Sequence, residues 1–153
     1  MLLGILIAPG NIDNVKLLLP SHTTNTRECG SYGNPLYAAI IGHHKEIVSL
    51  LLSSGWDSNF KGGELGRLIL AAAAEARLDC MALLLEKEVD LKVRDPWDRT
   101  ALIISAGTLP TKAVKLLAAG SDINAADEYG VTPLISASMA RACETVEVLL
   151  EFS

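Results

Sequence analysis

The 153-residue chain is half hydrophobic and one fifth charged, with a net charge of −5; this provides for one packed core and excludes disorder built on low hydrophobicity and runs of charge. The charge is unevenly placed: residues 1–121 balance 12 bases against 12 acids, whereas residues 122–153 set six acids against Arg141 alone. The absence of a basic stripe argues against nucleic acid and anionic membrane as ligands, and no apolar stretch approaches the roughly 18 residues of a membrane span.

The first element, Met1 to Ala8, is apolar but lacks a basic leading region and a small-residue cleavage site, and Pro9-Gly10 interrupts it. It reads as a helix of the packed domain. Beyond it a pair of adjacent leucines recurs at Leu18-Leu19, Leu51-Leu52, Leu84-Leu85, Leu116-Leu117 and Leu149-Leu150, at intervals of 33, 33, 32 and 33 residues. Other positions keep the same register. Val15, Val48, Met81, Ala113 and Val146 stand three residues before the pairs. Further upstream lie Leu2-Leu3, Pro35-Leu36, Leu68-Ile69, Ala101-Leu102 and Pro133-Leu134, with the small residues Ala39, Ala72, Ser105 and Ala137 mid-way. After the leucines come Gly55 and Gly120, which suit left-handed helix C-caps, then Asp57, Asp90 and Asp122, then Asn59 and Asn124. At this period each unit is a small supersecondary element that gains a core only by stacking on its neighbours, so the expected architecture is a short solenoid.

The pattern resembles the ankyrin repeat, whose units open with Thr-Pro-Leu-His and run through Leu-Leu, Gly-Ala-Asp-Val-Asn and a closing Asp-x-x-Gly. The closest stretches are Asn34-Pro35-Leu36-Tyr37 with Gly42-His43, Gly120-Ser121-Asp122-Ile123-Asn124 with Asp127-Glu128-Tyr129-Gly130, and Thr132-Pro133-Leu134. The resemblance covers the whole chain and implies an all-α solenoid of stacked helix-turn-helix units with β-turn fingers. It divides a single domain, 1–153, into units 1–33, 34–66, 67–99, 100–131 and 132–153.

Several positions depart from that pattern. The histidine that braces the family's opening turn is replaced by Gly4, Tyr37, Leu70, Ile103 and Ile135. Glu88 and His22 stand where the capping glycine belongs, and a side chain forced to positive φ costs on the order of 1 kcal/mol. The fourth unit is one residue short, with Gly107-Thr108-Leu109-Pro110-Thr111 between its helices. These units are expected to be the softer ones. Trp56 replaces a small residue after the capping glycine and reads as local packing, and Ala71 to Ala74 read as a tightly packed inner helix.

Catalytic constellations are missing from the sequence. There is no glycine-rich phosphate loop, no metal-ligand spacing and no cofactor motif. Cys29, Cys80 and Cys143 are an odd number without short spacing, which suits a reducing, intracellular setting, and Cys80 and Cys143, on expected outer helices, read as small buried thiols. His43-His44 falls in the turn between two helices, a structural position.

What is left for function is the surface that stacking creates. The resemblance implies a partner protein held by the fingers and the concave groove. Its contact positions fall on Lys61 and Glu64, Arg94 and Trp97, and Glu128 and Tyr129 for the fingers, and on Ile41, Glu75 and Arg141 for the inner-helix rim. Trp97 and Tyr129 are the sharpest of these, since aromatic residues and arginine dominate interface hot spots. The rival reading is a structural segment of a longer array in a multidomain protein whose activity lies elsewhere. It draws on the apolar ends, Leu2 to Ile7 and Val146 to Phe152, which suggest end-to-end association or further repeats.

Overall fold

The computed structural model describes residues 10–18, 34–61 and 67–153. The helix expected over Met1 to Ala8, and His22, Cys29 and Glu64, lie outside the described residues. Within them there are nine helices and no strand: α1 (Ile12–Leu18), α2 (Pro35–Ile41), α3 (Lys45–Ser53), α4 (Leu68–Ala74), α5 (Leu78–Leu85), α6 (Ala101–Ala106), α7 (Thr111–Ala118), α8 (Pro133–Met139) and α9 (Cys143–Glu151). One isolated antiparallel bridge joins Lys61 and Arg67.

Three of the inner helices, α2, α6 and α8, begin at polar caps, whereas α4 follows Arg67, whose side chain makes no cap bond. Asn34 Oδ1 accepts from the Leu36 and Tyr37 amides at 2.7 and 3.4 Å, and the hydroxyls of Thr100 and Thr132 accept from the Ile103 and Ile135 amides at 3.3 Å. Pro35 and Pro133 fill first-turn positions, where a missing N–H costs nothing. The helix N-terminus is therefore capped without the family's histidine.

Stacking builds the core. Inner helices α2, α4, α6 and α8 pack in sequence, each also against its own outer helix, α3, α5, α7 and α9. An inner helix thus meets partners on three sides, which is why α4 is apolar all round and Leu68 to Ala73 are buried. The alanines let neighbouring backbones approach. Trp56 is buried in the same core, as local packing requires.

The repeat register differs from the expected one in α7. Its buried set is Ala113, Val114, Leu117 and Ala118, each 66 residues after the buried Ile47, Val48, Leu51 and Leu52 of α3. Leu117 therefore matches Leu51, and Leu116 faces solvent. The residue missing from the fourth unit is not in the turn at Gly107 to Thr111, because α6 and α7 begin ten residues apart like every other pair. It is missing after Leu117, in the helix C-cap. Gly55 and Glu88 hold left-handed caps at φ 85° and 52°, but this unit has no left-handed cap and Gly120 is not at positive φ. Gly120 sits close against the preceding unit instead: a Cβ there would lie 2.9 Å from Leu91 Cδ1, whose side chain would have to turn aside.

The joint between units three and four is also different on the outside. Lys45 reaches Asp79 at 3.8 Å, and the Thr111 hydroxyl donates to Glu144 at 3.3 Å, linking the first turns of successive outer helices. At the corresponding positions of the third joint stand Leu78, which has no donor, and Lys112, which has no acceptor. Outer helices α5 and α7 accordingly touch less than α3 and α5 or α7 and α9.

Candidate functional site: the third and fourth fingers and their groove

Aspartates organise the fingers. Asp57, Asp90 and Asp122 open the loops by accepting from the amide two residues on, at 2.8, 2.9 and 3.0 Å. Asp95 and Asp127 then close the tips. Asp95 Oδ1 accepts from the Trp97 and Arg99 amides at 3.0 and 2.9 Å, and Asp127 Oδ1 accepts from the Tyr129 and Val131 amides at 2.9 and 2.8 Å. The tips turn through left-handed Asp98 and Gly130. The Asp95 carboxylate is wholly covered and takes Arg99 on its second oxygen, Nε at 2.8 Å and Nη2 at 2.7 Å. Charge on a covered carboxylate is thereby matched.

Neighbouring fingers are stitched together. The Glu128 amide donates to the Trp97 carbonyl at 3.2 Å, and Arg94 Nη1 donates to the Ala126 carbonyl at 2.7 Å. The same nitrogen meets the carbonyl and carboxylate of Asp98 at 2.7 and 3.0 Å. One loop earlier, Asn59 Oδ1 accepts from the Asp90 amide at 2.7 Å. The row of fingers is therefore a braced ladder.

That ladder presents two aromatic rings from equivalent positions. Trp97 is 45% exposed, and the Arg99 guanidinium lies 4.7 Å from its ring centroid. Part of the ring is thus turned back onto its own finger, and the rest faces out. Tyr129 is 78% exposed. The Glu128 carboxylate beside it, with the charge of Asp127, holds the phenol above the usual tyrosine range.

Behind the fingers lies a hollow of about 570 Å³, floored by Ile103, Ile104 and Met139 and walled on the finger side by Arg99, Asp127 and Val131. Met139 is 74% exposed. Of the residues expected from sequence, Arg94, Trp97, Glu128 and Tyr129 converge on two adjacent fingers, with Arg94 acting as a brace. Lys61 is exposed beside the Arg67 bridge on an earlier finger. Ile41, Glu75 and Arg141 stand at the ends of α2, α4 and α8, along one rim. There Arg77 donates to the Ile41 carbonyl at 3.2 Å and meets Glu75 at 3.8 Å. The floor residues Ile104 and Met139 escaped the sequence reading. Their signal is an excess: Leu134, Ile135, Ala137 and Met139 place more apolar side chains on α8 than one buried face accommodates.

Among the described residues no group of three His, Cys, Asp or Glu side chains is placed to hold a metal. No described helix is long and apolar enough to cross a membrane.

The family model for ankyrin repeats (3 copies) matches residues 3–95 and 68–153. The chain belongs to the ankyrin-repeat family. It is similar to transient receptor potential cation channel subfamily A member 1 of Homo sapiens, 28% identical over 149 residues. It is likewise similar to the protein of that name in Drosophila melanogaster, 31% identical over 127 residues. These matches cover 95% and 78% of this chain but only 13% and 11% of the two relatives. Ankyrin repeats are in general protein-interaction modules and typically not enzymes.

Proposed function

We propose that this ankyrin array is a non-catalytic module that binds a partner protein through its third and fourth fingers and the hollow behind them. It forms one domain over 1–153, divided as the repeat period divides it, and works inside the cell without a cofactor. The observation that carries this reading is the exposure of Trp97 and Tyr129 on adjacent fingers that are rigidly braced from behind. A held aromatic ring loses little conformational freedom on binding, and such residues form the energetic centre of interfaces. Glu128 joins them at the tip. Arg94 contributes by fixing the spacing, and Lys61, Ile41, Glu75 and Arg141 flank the contact.

The test is affinity capture from the source lysate with the parent chain and with a Trp97→Ala, Tyr129→Ala variant of equal helicity and equal melting temperature. A discrete protein retained by the parent and lost by the variant is the expected result. Equal capture by both would sink the finger reading.

A second reading is favoured by one observation. Ile135 is 44% exposed, whereas Ile103, its equivalent one unit earlier, is 3% exposed beneath α8. A further repeat stacked on α8 and α9 would cover it, and the array would then serve as a segment of a longer stack, as its match to a small part of each relative also suggests. Appending a consensus ankyrin unit should then raise the denaturation midpoint.

A further inference from the structure

We infer that the partner segment is cationic and carries an apolar anchor: an apolar side chain enters the hollow over Ile104 and Met139 while an adjacent lysine or arginine seats against Asp127, Glu128 and the Tyr129 ring. The inference rests on the reading that fingers and groove bind a protein, and it specifies the chemistry of what they bind.

Charge bookkeeping on the finger wall supports it. Arg99 is matched by Asp95 at 2.7 Å, and Arg94 by Asp98 at 3.0 Å, so both bases of the two tips are already neutralised. Asp127 and Glu128 have no basic partner among the described ion pairs and leave this wall two charges negative. Asp127 lines the hollow, and its Oδ1 is engaged with the backbone amides of its own turn, which leaves Oδ2 to face a ligand. The remaining base near the hollow is Arg141, which follows the far end of α8. A helix of seven residues separates it from the fingers by about 10 Å. A cation at the finger wall is therefore drawn to the acids more strongly than it is repelled by Arg141.

The rings point the same way. The Trp97 ring already carries a guanidinium at 4.7 Å, so the geometry of this tip is one in which a cation rests on an aromatic face. Tyr129, at the equivalent place on the next finger, is the more exposed of the two and has the extra carboxylates beside it. An anionic segment would meet the opposite field on the same wall.

The measurement uses the ¹⁵N-labelled chain titrated with three short peptides, each a glycine-serine frame around a central Lys-Leu-Lys, Glu-Leu-Glu or Lys-Ser-Lys. Lys-Leu-Lys should shift the amides of Asp127 to Val131 and of Met139 and Ala140, with an affinity that falls as salt is added. Glu-Leu-Glu and Lys-Ser-Lys should bind about tenfold more weakly. An Asp127→Asn, Glu128→Gln variant, in which Asn keeps the turn's acceptor oxygen, should lose about tenfold for Lys-Leu-Lys. Should that variant fold poorly, Glu128→Gln alone serves, because the Glu128 side chain is exposed and its bond to the Trp97 carbonyl is made by the backbone amide. Equal binding of Glu-Leu-Glu would overturn the cationic assignment while leaving groove recognition intact. Silence of all three peptides would overturn it as well, and the capture experiment with the aromatic variant would then decide separately whether the fingers bind protein at all.

Discussion

Glu88 carries its side chain at φ 52°, in a region where L-residues are strained and glycine is not. Glu88→Gly should therefore raise stability by about 0.5 to 1 kcal/mol despite the entropy glycine adds to the unfolded chain, read as an increased urea midpoint at constant m. An unchanged midpoint would mean that the strain is already relieved. Asp95 is the opposite case, a covered carboxylate serving two amides and one guanidinium. Asp95→Ala should cost roughly 2 to 4 kcal/mol, whereas Asp95→Asn, which retains an acceptor for the amides, should cost about half of that. Cys80 is buried on α5, and burial first, then the charge of Asp79, raises its thiol above the usual cysteine range against the opposing charges of Arg77 and Lys45. A folded value above the unfolded one means that stability from the neutral thiol is complete below the unfolded pKa. It is lost as pH rises through the folded pKa. Cys143, expected to be buried, is exposed at the start of α9, so in a Cys29→Ser background a thiol reagent should label Cys143 in the native state and Cys80 only on unfolding. Rapid native labelling of both would contradict the burial.

At the scale of elements, α7 provides the sharpest check. Leu117→Ala should cost roughly 2 to 5 kcal/mol, because the side chain is fully buried, and Leu116→Ala should change stability by less than about 0.5 kcal/mol. A reversed order would restore the register read from the leucine pairs. That register failed here for a physical reason. Two adjacent leucines on a helix lie about 100° apart, so a pair announces a buried face without saying which member lies at its centre. Shortening the cap of the fourth unit moved the match by one residue, and only burial reveals it. The helices, their order and the left-handed Glu88 were legible because period and capping chemistry act locally. The finger tips were legible as sites of exposed aromatic residues. Their bracing was not, since Arg94 to Ala126 and Glu128 to Trp97 span a whole repeat, and nothing in a single unit marks Arg94 as a brace. Gly10 and Gly42 were opaque in the same way. Both make room for the His44 imidazole, which would lie 2.6 and 2.7 Å from a Cβ placed at either.

Across the whole molecule, stability is the sum of what each unit contributes and what each joint adds, so the weakest joint decides where the stack opens. Between α5 and α7 the outer contact is slight and the polar link is absent. Hydrogen exchange should show the array parting there, with helices on either side exchanging as two blocks. Uniform exchange along the stack would contradict this. The hollow belongs to the same scale, since no single repeat makes it: its floor comes from α6 and α8, and its wall from Arg99 of the third finger and Asp127 and Val131 of the fourth. On the proposed reading this finger and groove side, and not the outer-helix row, meets the partner. A photocrosslinking residue placed at Tyr129, at Met139 or at Glu147 on the outer helix α9, in the otherwise unaltered chain, tests it most directly. Crosslinks from 129 and 139 to one common protein, with none from 147, are expected; a partner captured from 147 but not from the groove positions would contradict the claim.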